Sequence, residues 1–182
     1  QLKVSATPVR EAFRKLAKDN LVVIVPWKGV TVKADTPEEI VALYQCREVM
    51  EGLGARLCAR HATPEQVAEL KELCKEMHAI EDATARVEVN SRFHSMIAQF
   101  SGNDRVVDYL ADFRERVNRD MYLSSFNAVR THDCDDEHDH IVDAIERHDE
   151  VAAENAMRKH INNAFIFKRA NAELQDKNLN EV

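Results

Sequence analysis

The order of apolar and polar positions divides the chain into a short opening of mixed pattern and a long remainder with helical spacing. In SATPVREAFRKL, from Ser5 to Leu16, the apolar residues Val9, Phe13 and Leu16 recur at i, i+4 and i+7, one stripe on one side of a helix. Ser5 suits the N-cap position, and Pro8 falls in the first turn, where no backbone donor is required of it. Arg10 and Arg14 lie four apart on a different face, and Lys18 extends their row. LVVIV and VTV then flank Pro26-Trp27-Lys28-Gly29, so two β-branched runs about a four-residue turn predict a hairpin.

From Thr36 the spacing is that of long amphipathic helices. Thr36-Pro37-Glu38-Glu39 and Thr63-Pro64-Glu65-Gln66 both read as helix starts, with a Thr cap, Pro at the first helical position and acid in the first turn. Helices are expected at about 36–61, 64–82, 86–101, 103–128, 132–148 and 149–175, with QDKNLNEV as a frayed tail. Tight connections between them make an antiparallel bundle. The fold class expected is therefore mostly α, with a helix-and-hairpin unit over 1–34 and an all-α bundle over 35–182.

Composition agrees with helices. Four Gly and four Pro in 182 residues argue against a sandwich or barrel. Nothing resembles a signal peptide, and no apolar run approaches the roughly 20 residues that span a bilayer, so no membrane is expected and a soluble chain is. Cys46, Cys58, Cys74 and Cys134 form no CxxC pair and sit in helical segments, which predicts buried free thiols and a reducing, cytoplasmic setting.

Charge changes the picture. Residues 1–33 carry seven Lys/Arg against two acids, a local charge of +5 in a chain of −7, leaving −12 for the rest. Such asymmetry matches a basic piece that meets a polyanion. A helix followed by a two-stranded hairpin is the back half of a winged helix-turn-helix, in which the helix enters the major groove and the wing tip, Lys28-Gly29, meets the backbone or minor groove. A basic helix packed on a hairpin in any α+β protein is the plainer alternative.

The histidines add candidate chemistry. Val89, Phe93, Met96, Ile97 and Phe100 form the stripe of the third bundle helix, with Asn90 and His94 beside it. His138 stands at i, i+3, i+7 with Ile141 and Ile145; His160 follows Ala153 and Ala156 and precedes Ala164. Three helices thus aim imidazoles at the bundle centre. A buried neutral imidazole needs both a donor and an acceptor partner, and a divalent cation shared by several rings resolves that; Zn²⁺, Mn²⁺, Ni²⁺ and Fe²⁺ all accept such ligands. Hydrogen-bonded core histidines are the alternative. His61, His78, His132, His140 and His148 are expected to be solvated, and HDCDDEHDH (His132 to His140) to be an acid-rich helix start favoured by the helix dipole.

These stretches also carry a resemblance. SATPVREAFRKLAKDNLVVIVPWKGVTV resembles the recognition helix and wing of GntR-family bacterial transcription regulators, which show Ser, a basic residue, then Thr-Pro-Val-Arg-Glu-Ala and a Gly-containing wing. Two helices precede this one in that family and only Gln1 to Val4 precede it here, so a truncated chain is expected. Ala6 replaces a frequent Arg or Lys, which alters operator preference. The resemblance implies DNA contacts at Thr7, Arg10 and Gly29; helix geometry and charge add Arg14 and Lys28.

NSRFHSMI, EHDHIVDAI and MRKHI are similar to the three metal-bearing stretches of the FCD domain, the ligand-binding half of FadR-type regulators. The resemblance implies metal ligands at His94, His138 and His160, with Asn90 at a fourth position where many members have Asp. An amide oxygen still coordinates, but without the charge. Tyr44 to Glu51 resembles the family's Arg-x-x-x-Glu stretch, which implies that Arg47 clamps an effector carboxylate; a surface salt bridge between Arg47 and Glu51 is the alternative. Arg116 and Arg119 are weaker candidates. The resemblance as a whole implies a cytoplasmic DNA-binding regulator, a repressor relieved by a small organic acid. It would act as a homodimer on an inverted-repeat operator, with a divalent metal, zinc first, then manganese, nickel or iron. An all-α metal-dependent hydrolase is the runner-up, although it leaves the basic helix and wing unexplained.

Overall fold

A computed structural model describes residues 5–18, 21–33, 36–111, 113 and 131–180, without the side chains of 83, 131–133 and 171–180. The elements in chain order are α1 (Ala6–Lys18), β1 (Val22–Val25), β2 (Gly29–Val32), α2 (Pro37–His61), α3 (Pro64–Ala79), α4 (Ala83–Phe100), a helical stretch over 104–111, α5 (Thr131–Glu146) and α6 (Glu150–Asn180). The chain is mostly α and divides into two compact units, Gln1–Ile40 and Val41–Val182.

In the first unit α1 packs towards β1, and the Leu21 amide donates to the Leu16 carbonyl (2.9 Å) where the helix gives way to the strand. The strands are antiparallel, with Val22 opposite Val32 and Val25 opposite Gly29. The turn is therefore three residues, not the four expected, because Gly29 already belongs to β2. The Lys28 amide donates to the Val25 carbonyl (3.1 Å), with Pro26 at the second turn position and Trp27 at φ 66° in the third, the pattern of a type II turn. The expected apolar stripe is only partly covered: Phe13 is half-buried, whereas Val9 and Leu16 are each 37% exposed. At the start of α2, the Glu39 amide donates to Thr36 Oγ1 (3.2 Å) and the Thr36 amide to Glu39 Oε2 (2.9 Å), a reciprocal cap.

In the second unit α3 lies against α4 and α5, and α5 against α6. Thr63 and Gln66 form the same reciprocal cap at α3 (3.3 and 3.0 Å). The core is built from Ala55 and Cys58 of α2, Leu70 of α3, Phe93 and Ile97 of α4, Ile141 and Ile145 of α5, and Ala153 and Ile161 of α6. Burying each of the larger side chains contributes about 1.5–3 kcal/mol. Small residues let α2 approach closely: a Cβ on Gly54 would lie 3.4 Å from Val106 Cγ1 and 3.9 Å from Ala98 Cα.

Several boundaries differ from expectation. α3 stops at Ala79, because Ile80 is extended (φ −88°, ψ 119°). α4 begins three residues early because the Asp82 side chain accepts from the Ala85 amide (2.8 Å) and caps it. α6 continues to Asn180 instead of fraying at 175. Of the helix expected over 103–128, the part beyond 113 lies outside the described residues, with Arg116 and Arg119. The cysteines are free, but Cys58 and Cys74 alone are buried; Cys134 is half-buried and Cys46 exposed, because their helices turn those positions away from the core.

Candidate metal centre

α4, α5 and α6 bring three imidazoles together. His138 lies on the row of Ile141 and Ile145, both fully buried, and His160 on the row of Ala153 and Met157, so packing of those rows carries the rings inward. His94 sits one turn after Asn90 on α4, and Asn90 is 8% exposed. Ring centroids are 4.5 Å apart for His138 and His160, 5.2 Å for His94 and His160, and 5.8 Å for His94 and His138. One nitrogen from each ring falls within 4.8 Å of the others. Phe93 closes one side, its ring centroid 4.7 Å from that of His138.

Two carboxylates brace these rings. Glu51 of α2 pairs through Oε2 with His94 Nδ1, while its Oε1 accepts from Arg47 Nε at 2.8 Å. Glu137 of α5 lies with Oε2 2.8 Å from His160 Nδ1, and its Oε1 accepts from Asn163 Nδ2 at 2.7 Å. A carboxylate at Nδ1 holds the proton there and directs the Nε2 lone pair away from itself. His94 Nε2 is buried and finds no hydrogen-bond partner among the described residues.

The electrostatics arise from burial. Desolvation alone would raise the Glu51 pKa, but Arg47 and His94 outweigh it and hold the carboxyl well below the usual carboxylate range. Burial likewise opposes the Arg47 charge, and Glu51 and Tyr44 together more than restore it. The Arg47 guanidinium lies 5.0 Å from the centroid of the Tyr44 ring. His160 is pushed down to about 4, mainly by desolvation, with His94 adding to the effect and Glu137 opposing it. At neutral pH His160 is therefore uncharged, the form in which an imidazole ligates a cation.

The Arg47–Glu51 pair is not a surface salt bridge. Its side chains are 5% and 6% exposed. Of the residues expected to meet DNA, Thr7, Arg10 and Arg14 are exposed on α1, and Lys28 and Gly29 are exposed at the hairpin turn and the start of β2. They belong to the first unit, and the imidazoles to the second.

Sequence reasoning missed three participants. Glu137 and Asp135 belong to the run expected to be no more than an acid-rich helix start, yet Glu137 reaches His160, and Asp135, 7% exposed, pairs with Arg86. Asp135 stands three residues before His138 on the same inward row, a spacing that would have exposed it. Asn163 stands three after His160 and could have been found the same way. His148 is exposed, as expected, with Nδ1 2.8 Å from the Ala59 carbonyl oxygen. The side chain of His132 lies outside the described residues.

A basic helix with a hairpin, joined in one chain to an all-α bundle holding a cluster of inward-facing histidines, defines the class of winged-helix regulators with a helical second domain. Comparison with known proteins makes this specific: the FCD domain family matches residues 42–163, and the chain belongs to that family, within the GntR transcription regulators. The chain is 25% identical over 163 residues to the uncharacterized HTH-type transcriptional regulator YdhC of Bacillus subtilis, covering 87% of this chain and 73% of that one. It is 28% identical over 164 residues to the HTH-type transcriptional repressor RspR of Escherichia coli, covering 88% and 72%. Its fold matches the solved structure of E. coli McbR/YncC with a TM-score of 0.80 at 20% identity, over 94% of this chain and 88% of that one. The relatives are DNA-binding transcription regulators and not enzymes, which removes the hydrolase alternative. Among the described residues no helix is long and apolar enough to cross a membrane.

Proposed function

We propose that this protein is an operator-binding repressor whose DNA affinity is set by a small organic acid bound beside a divalent cation in the helical unit. The observation that carries the reading is the convergence of three imidazoles from three helices, two of them buried and the third half-buried, with an arginine one carboxylate away. Residues 1–34 form the DNA-reading part and 35–182 the sensing part. His94, His138 and His160, with the Asn90 amide oxygen as a fourth donor, would hold the cation; this neutral, nitrogen-rich set suits Zn²⁺ first, then Mn²⁺, Ni²⁺ or Fe²⁺. The buried His94 Nε2 without a hydrogen-bond partner supports that fit. Bound there, a divalent cation supplies positive charge for an anionic oxygen.

The chain's own residues do the rest. Arg47 commits Nε to Glu51 and carries further donors on its terminal nitrogens, a planar fork matched to a carboxylate. Glu51 links that fork to His94, so an acid taken up by Arg47 is felt at the imidazole. Thr7, Arg10 and Arg14 reach into the major groove while Lys28 and Gly29 meet the backbone, in a cytoplasmic homodimer on an inverted repeat. The acid acts by binding one conformational state more tightly than another; each tenfold change in operator affinity requires about 1.4 kcal/mol of that difference.

The test is a salt-dependent operator-binding assay on the full-length protein, with a panel of carboxylic acids, beside metal analysis of the wild type and of His138→Ala. The reading expects bound metal in the wild type, its loss in the variant, and weaker operator binding with at least one acid. Operator affinity indifferent to every acid and to metal removal refutes it.

A further inference from the structure

His160 faces a second set of donors. Cys134, Glu137 and His160 bring a sulfur, a carboxylate oxygen and a ring nitrogen within 4.8 Å of one another. Cys134 and Glu137 stand three residues apart on α5 and so share a face of that helix. His160 turns Nδ1 towards this side, 2.8 Å from Glu137 Oε2. Cys134 and Glu137 are half-buried where His138 is 1% exposed, so this group is the less enclosed of the two. Among the described residues no other cysteine joins such a three-donor group: Cys58 is a buried thiol pushed up to about 12 by desolvation, Cys74 is pushed up to about 12 chiefly by desolvation with Asp139 adding to it, and Cys46 is exposed.

We infer that Cys134, Glu137 and His160 form a second cation site, selective for a thiophilic divalent ion such as Zn²⁺ or Cd²⁺, which competes with the three-imidazole group for His160. The donor sets differ in charge. A thiolate and a carboxylate together neutralise a divalent ion, so this site needs no external anion; three neutral imidazoles leave the ion's charge unbalanced. Capture at Cys134 forms one S–metal bond and releases the thiol proton to solvent. A neutral imidazole offers one lone pair at a time. Ligation through Nδ1 moves the ring proton to Nε2, and His160 then has nothing to give to His94 and His138. A thiophilic ion thereby dismantles the other group without touching its remaining members.

The thiolate site stands without the sensing role proposed above; the competition alone rests on it. The test uses the chelator-stripped full chain and Cd²⁺, whose ultraviolet charge-transfer absorption reports thiolate ligation. The wild type and His94→Ala should both show the band, Cys134→Ser and Cys134→Ala should lose it while keeping the wild-type circular dichroism, and His160→Ala should lose it as well. Preloading with Cd²⁺ should abolish Co²⁺ uptake at nitrogen ligands in the wild type and leave it unchanged in Cys134→Ser. A wild type without the band, or a band that survives in Cys134→Ser, overturns the site. A band accompanied by undiminished Co²⁺ uptake overturns the sharing of His160. If neither wild type nor Cys134→Ser takes up Co²⁺ through nitrogen while the band is present, the sensing proposal fails and the thiolate site remains.

Discussion

Helix α2 carries two sets of arginine–glutamate pairs that share chemistry and differ in surroundings. Arg47 and Glu51 are i, i+4 neighbours with side chains 5% and 6% exposed. About two and a half and three and a half turns after Arg47, Arg56 and Arg60 reach across to Glu150 and Glu154 of α6 with arginine side chains 42% and 47% exposed. The second set is geometrically the fuller one: Arg60 meets Glu150 through two bonds of 3.0 and 2.6 Å. Yet the interior pair is the one wired to a candidate site, because its carboxylate also holds His94. Number and length of contacts do not rank these pairs. Solvent does, since water already solvates an exposed charge and nothing replaces a lost partner in the interior.

The sharpest way to break this comparison is to remove one interior partner. Arg47→Met leaves Glu51 ionised and buried with His94 as its remaining partner, and Glu51→Leu strands the guanidinium. Either is expected to cost on the order of 3–5 kcal/mol in urea unfolding. The double replacement should recover most of that loss, since matched apolar side chains carry no stranded charge. A single variant with an unchanged midpoint would show that water reaches the pair.

Acid provides the next test, on metal-free protein. His160 titrates near 6.5 when unfolded and near 4 when folded. Between those values the unfolded chain binds the extra proton, so stability rises with pH and falls as acid is added. The expected loss from pH 7 to pH 5 is about 2 kcal/mol, from a slope approaching 1.4 kcal/mol per pH unit. Below pH 4 both states are protonated and the contribution levels off. His160→Gln should flatten this portion of the curve. A curve of equal steepness in the variant would assign the effect to the carboxylates.

The same contrast explains what the sequence made legible. Both Thr-Pro helix starts were readable because a cap is local: Thr36 with Glu39 and Thr63 with Gln66 need only their own turn. The inward direction of His138 was readable too, since Ile141 and Ile145 repeat on its row. The bracing of His94 by Glu51 was not, because it joins α2 to α4 and no local spacing encodes which helices become neighbours. Nor was the mixed fate of the acid-rich run: one turn of α5 sends Asp135 and Glu137 to partners on other helices while leaving Asp136 exposed. The helix dipole accounts for such a run as a helix start, and only tertiary packing separates its members. Gly29 shows the limit at short range, where a turn one residue tighter moved it into a strand.

The smallest effect completes the comparison. Arg60→Gln removes both bonds to Glu150 at a position water reaches freely. Arg60 is raised above its ordinary pKa chiefly by the hydrogen bond to Glu150, and Glu150 is lowered chiefly by the same bond. Its contribution to folding is nonetheless expected to fall within the scatter of a denaturation experiment. Salt distinguishes it further: at 1 M the screening length is about 3 Å, so added salt should erase any difference between Arg60→Gln and wild type. The penalty of Arg47→Met should survive the same salt, because no counter-ion enters a site 5% exposed. Arg60→Gln unfolding as easily as Arg47→Met, or both penalties vanishing together in salt, would mean that burial does not separate the two sets and that Glu51 is no more tightly bound to its place beside His94 than a surface carboxylate.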